Sequence, residues 1–246
     1  MGEADTIRSE LQALSDPAKA VILARFFKTG PGEYGDGDRF HGVVVPKVRR
    51  IVKSHRSVPF SEIRKLIRSV YHEERLAALL ILVDQYARGD SSVKKDIFNF
   101  YLANTAYINN WDLVDLTAQY IVGDYLSDKD TSTLTRLALS ENLWERRIAM
   151  LATFHFIRRG DSREALRIAE LFLRDSHDLI HKAVGWMLRE VGKRCSIEVE
   201  CRFLDKHAEK MPRTMLRYAI ERFPENLRLR YLRRIRKERM ARNSGV

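Results

Sequence analysis

Residues 110–122 read Asn110-Trp111-Asp112-Leu113-Val114-Asp115-Leu116-Thr117-Ala118-Gln119-Tyr120-Ile121-Val122. Apolar side chains recur here at three- and four-residue intervals, and the spacing predicts a helix over 111–126. On that helix Trp111 and Asp115 are four residues apart, so an indole and a carboxylate share one face. Stretches of the same kind are predicted at 73–88, 143–158, 178–193 and 212–222, with partner helices at 92–103, 130–140, 162–174 and 197–209. The second members of the pairs begin near 73, 111, 143, 177 and 212, in steps of roughly 32 to 38 residues, the span of helical repeats. A right-angled bundle would give similar helix counts, but stacked pairs account better for the regular step. The expected fold is all-α, an α-solenoid of antiparallel HEAT-like helix pairs in which one helix of each pair lines a concave basic groove. No linker or composition shift divides the chain, so a single domain over 1–246 is expected.

The rest of the chain fits this frame. Ser61 reads as the cap of a helix beginning Ser61-Glu62-Ile63. The first 30 residues read as a helix pair split at Ser15-Asp16-Pro17, where proline suits a first turn. Between them, at about 29–40, lies a glycine-rich insert containing Gly30, Gly32 and Gly35 at dinucleotide-fingerprint spacing. A helix rather than a strand precedes it, and Glu33, Asp36 and Asp38 would repel a pyrophosphate, so it reads as a loop or short hairpin. Strand-like alternation is confined to His41–Val45. The stretch 226–242 is strongly basic with an apolar stripe, either a phosphate-tracking helix or a solvated cap on the solenoid.

Composition narrows the function classes. The 246 residues are 45% apolar and carry a formal net charge of +11, a balance that favours a polyanionic partner, nucleic acid above all. No apolar run approaches a membrane span, and the N-terminus lacks a signal pattern, so no membrane partner and a cytoplasmic location are expected. Cys195 and Cys201 read as free thiols, and the seven histidines form no ligand pattern, so neither a metal nor another cofactor is expected.

The second helices mix apolar stripes with arginine, lysine, acid and tryptophan. Lined up on a groove, Arg146, Arg147, Lys182, Arg189 and Arg213 would meet phosphates, while Trp111 and Trp186 would offer flat faces to sugar or base. Plainer readings stand beside these. Trp144 reads as a core or junction tryptophan, and either other indole, taken alone, is more often core than site. Asp115 also suits an ion pair, and Asp112 suits a positive helix N-terminus. Gly185, beside Trp186, costs a helix about 1 kcal/mol relative to alanine and implies a close approach by a partner or neighbouring helix.

Several blocks together resemble the AlkD-type DNA alkylation repair family. They are the run from Phe27 to Phe40, Val45-Pro46-Lys47-Val48-Arg49, Asn109 to Asp115, Leu143 to Arg147, Lys182 to Glu190, and the stretch from Met211 through Ile220. The resemblance implies a HEAT-like, monofunctional glycosylase that releases N3- and N7-alkylated purines from duplex DNA without strand cleavage; a monomer is the default expectation, and the sequence does not decide it. It makes Trp111 and Trp186 aromatic walls against the lesion nucleotide, Asp115 the catalytic carboxylate and Arg147 a phosphate-binding arginine. Phe26 stands where some members carry tyrosine, which retains the ring and loses a hydroxyl. From a different class, a non-catalytic solenoid that binds DNA structure would retain the basic groove. A protein-binding scaffold would require neither the charge nor the indole–carboxylate pair.

Overall fold

The computed structural model describes residues 2–233. Among them there is no strand; the sole β-type pairing is an isolated parallel bridge between Arg39 and Tyr71. The class is all-α, a solenoid-type succession of helix pairs, as the sequence step predicts. The helices gather into two compact units, Met1–Tyr125 and Leu126–Val246. Composition does not mark this boundary because it falls within a helical segment.

The first unit holds α1 (Glu3–Ala13), α2 (Pro17–Phe26), α3 (Val45–Ser54), α4 (Phe60–Ile67), α5 (His72–Arg88), α6 (Ser91–Leu102) and α7 (Trp111–Asp115); α8 (Asp124–Leu126) crosses the boundary. Pro17 occupies the first turn of α2, and the Asp16 carboxylate caps it by accepting from the Lys19 amide at 3.0 Å. The strand-like residues before Val45 form no strand. Instead α3 starts there, with Pro46 in its first turn and Val48, Ile51 and Val52 buried on one face. Ser61 is not a cap but sits inside the first turn of α4, which Pro59 precedes.

The α5 helix is the centre of this unit. Leu76, Leu79, Ile81 and Leu82 are essentially inaccessible, each contributing about 1.5–3 kcal/mol by burial. Its first turn buries His72, Glu73, Glu74 and Arg75. Those charges need partners, and α1, the insert and the residues that follow it supply them, Asp38 of the insert meeting His72 and Arg75. The Glu73 carboxylate accepts the amides of His41, Gly42 and Val43 at 2.9, 2.9 and 3.0 Å. The Glu74 carboxylate meets Arg8 at 3.0 Å and His41 at 3.1 Å. The insert is thus a turn-rich loop clamped to α5, not a hairpin.

The helix expected over 111–126 is interrupted. The Thr117 hydroxyl donates to the Leu113 carbonyl at 2.5 Å, competing with the backbone ladder. The chain then widens into a π turn over Gln119–Gly123. A similar hydroxyl, Thr153 to the Met150 carbonyl at 2.6 Å, marks the break in the helix expected over 143–158.

The second unit holds α9 (Ser132–Ala138), α10 (Leu143–Ala152), α11 (Phe154–Arg158), α12 (Arg163–Leu171), α13 (Asp178–Arg194), α14 (Ile197–His207) and α15 (Arg213–Ala219). Here α13 is central, packing on α10, α14 and α15 through Ile180, Val184, Met187 and Val191. Two glycines permit the close approach. A Cβ on Gly185 would stand 2.4 Å from the Met215 carbonyl oxygen and from the Tyr218 Cβ, so the neighbouring helix α15 is what this glycine admits. A Cβ on Gly192 would collide with the Glu200 carboxyl. That carboxyl is 1% exposed, and its Oε1 has no hydrogen-bond partner. Burial pushes its pKa up to about 9, against the pull of Arg189. Residues 225–233 are helical and tethered by Tyr231, which donates to Asp205 at 3.1 Å. The rest of the basic stretch 226–242 lies outside the described residues.

Candidate active site

Asn110 caps α7 by accepting the Trp111 amide at 2.9 Å, which fixes where the helix begins. Trp111 is therefore the first residue of a short helix and Asp115 its last, on one face as the spacing predicts. Both are half-buried. Trp111 stacks on Phe27, with centroids 5.1 Å apart and planes at 22°, and receives the edge of Phe26 at 5.7 Å. Phe26 itself is 61% exposed, so this aromatic group opens to solvent. Asp115 adds negative potential at the buried Tyr101 phenol, whose pKa burial first and then this carboxylate push up.

Behind Trp111 lies a buried charge network that the sequence did not reveal. His72 is held between two carboxylates, with Nδ1 3.1 Å from Asp38 and Nε2 2.9 Å from Asp112. Arg75 donates to the other Asp38 oxygen at 2.5 Å and to the Ser69 carbonyl at 2.8 Å. Burial opposes the imidazolium, but the charge and hydrogen bond of Asp112 and the hydrogen bond of Asp38 raise His72 to about 9. Burial likewise works to raise Asp38, yet its bond to His72 and the charge of Arg75 hold it below the ordinary carboxylate range. At neutral pH both imidazole nitrogens therefore donate, and two carboxylates balance two cations. Phe40 stacks on His72 at 4.7 Å and Phe27 lies 4.9 Å away. Asp112 is thus a buried partner of His72 rather than a solvated helix-start acid. No local pattern marks this network, because Asp38, His72 and Asp112 are far apart in sequence.

The other candidates belong to the second unit. Arg147, on α10, is 5% exposed and donates to the Leu179 carbonyl at 2.6 Å, so it is an ordered guanidinium rather than a solvated one. Arg146 is held by Asp175 at 2.8 Å and by the Ser140 and Glu141 carbonyls. Trp186, half-buried on α13, leans on Phe154 at 5.9 Å, and Arg194 lies over that phenyl ring. Lys182 pairs with Asp178 at 2.7 Å and Arg189 with Glu221, while Arg213 is exposed at the start of α15. Trp144, 7% exposed, is core. Trp111 and Asp115 thus share the short helix α7 of one unit, and Arg147 and Trp186 lie on packed helices of the other.

Among the described residues, no group of histidines, cysteines or carboxylates is placed to hold a metal ion. No described helix is long and apolar enough to cross a membrane. No curated protein matches the chain. A solved structure described as "Predicted DNA alkylation repair enzyme from Enterococcus faecalis" is similar in fold. It has a TM-score of 0.65 and 15% identity, covering 86% of this chain and 97% of that one. The model of the DNA alkylation repair enzyme family matches residues 7–223, and the chain belongs to that family.

Proposed function

We propose that the protein is a monofunctional DNA glycosylase that releases cationic N3- and N7-alkylated purines from duplex DNA, with Asp115, Trp111 and Trp186 as its catalytic residues. The observation that carries this reading is the half-buried carboxylate of Asp115 on the same helical turn as an indole held against two phenylalanine rings. An alkylated purine is already positively charged, so its leaving needs no general acid. The bond from C1′ to the purine nitrogen breaks with its electron pair going to the base, which departs neutral. Positive charge develops on the deoxyribose, where the Asp115 carboxylate stabilises it and an indole face favours it. Water, oriented by Asp115, adds to C1′ and gives its proton to that carboxylate, which returns it to solvent. No lysine nucleophile enters, so the DNA strand stays intact.

Arg147 fits a phosphate contact because its guanidinium is already ordered by Leu179, so little side-chain entropy remains to be lost. Arg146, Lys182, Arg189 and Arg213 supply further phosphate contacts, with the ion pairs of Arg146, Lys182 and Arg189 exchanged in part for DNA. The net charge of +11 supports a polyanionic partner. The test is chromatographic detection of free 7-methylguanine or 3-methyladenine from methylated duplex. Release well above the spontaneous rate, with unbroken strands, is expected. Duplex binding without release overturns the enzymatic reading in favour of a non-catalytic DNA-binding protein.

A further inference from the structure

The glycine-rich insert and the network behind Trp111 have no role in the chemistry above. We propose that the insert is the strut of the candidate site, with Asp38 and His72 as positioning residues that fix Trp111 and the start of α7. This rests on the reading of Trp111 as a wall of the site. The structural chain is continuous. Asp38 comes from the insert, His72 opens α5, and Asp112 follows Trp111 on α7. His72 therefore ties the insert to the indole-bearing helix through two hydrogen bonds, of 3.1 and 2.9 Å. The side-chain Nδ2 groups of Asn109 and Asn110, which lead into α7, also donate to Asp38, each at 3.5 Å.

Packing repeats the same connection. Phe40 of the insert stacks on both His72 and Phe27, and Phe27 stacks on Trp111. Gly35 lets the insert lie this close. A Cβ there would stand 2.5 Å from the Phe27 carbonyl oxygen and 3.1 Å from Asn110 Nδ2. The charged contacts of the network are buried, and a buried pair that loses one partner leaves an uncompensated charge, so the register of α7 depends on each member being in place. An indole displaced by about 1 Å would lose on the order of a hundredfold in rate.

The test uses Asp38→Ala, Asp38→Asn and Gly35→Ala in the full chain, with two readouts. In a Trp144→Phe, Trp186→Phe background, acrylamide quenching reports Trp111 alone. In the chain with all three tryptophans, single-turnover base release is set against affinity for unmodified duplex. Asp38→Ala and Gly35→Ala should each raise quenching and slow release by about 10- to 100-fold at unchanged affinity. Asp38→Asn, whose amide oxygen still accepts from His72, should recover part of both. Folded variants whose Trp111 quenching matches the parent overturn the proposal, and so does an equal loss of affinity and rate. Should Asp38→Ala fail to fold, Gly35→Ala decides by the same criteria. If the parent protein releases no base, the glycosylase reading fails, while quenching still decides whether the insert positions Trp111.

Discussion

The buried position of His72 predicts an unusual pH dependence of stability. Its pKa is raised from 6.5 to about 9 in the folded state, so the stabilisation is complete below about 6.5 and is lost as pH rises through about 9. At about 1.4 kcal/mol per pH unit, the loss amounts to roughly 3 kcal/mol. The groups that set it are Asp112 on α7, Asp38 from the insert and the opposing Arg75 on α5. The perturbation is Asp112→Asn, which keeps an oxygen for the imidazole to donate to and removes the charge. The variant's His72 should then titrate much lower, and stability should be flat where the parent's declines. Urea unfolding of both proteins between pH 6 and 9.5 gives the two curves. The gap between them should be about 3 kcal/mol near pH 6.5 and close towards pH 9. A gap that stays constant across this window would refute the assignment of charge to His72.

Other outcomes follow from the same structure. Glu200 must take up a proton to fold above pH 4.5, a cost that grows until about pH 9, so Glu200→Gln should stabilise the protein by about 2–4 kcal/mol at pH 8. Thermal melts at pH 5 and pH 8 check this, and a gain no larger at pH 8 contradicts it. Gly185→Ala should destabilise by about 1–3 kcal/mol, because its methyl group meets the Met215 carbonyl oxygen and the Tyr218 Cβ. A melting temperature equal to the parent's would show that α15 yields freely. Duplex affinity should fall steeply between low and physiological salt, with a log–log slope shallower by about one for each phosphate contact removed, Arg213→Ala among them.

The legible part of this molecule is what local periodicity encodes. The starts of α5, α7, α10, α13 and α15 lie within a residue or so of those predicted, because apolar spacing and caps such as Asn110 and Asn142 act over a single turn. The pairing of Trp111 with Asp115 was readable for the same reason. Helix α3 was missed because its valine-rich start imitates a strand. The interruption after α7 was missed because it depends on one hydroxyl, Thr117, competing with the ladder. The His72 network was out of reach because its members are joined only by tertiary packing. The sequence reads Arg147 as a phosphate-binding arginine but does not show its burial, which depends on where α13 places the Leu179 carbonyl.

The most direct measurement is single-turnover release of 7-methylguanine from methylated duplex by the parent protein and by Asp115→Asn. The parent should release base without strand cleavage, and the variant should bind duplex as tightly while releasing base on the order of a hundred- to a thousandfold more slowly, as loss of one preorganised charge implies. Equal release by Asp115→Asn would contradict the assignment of this carboxylate to the developing sugar cation.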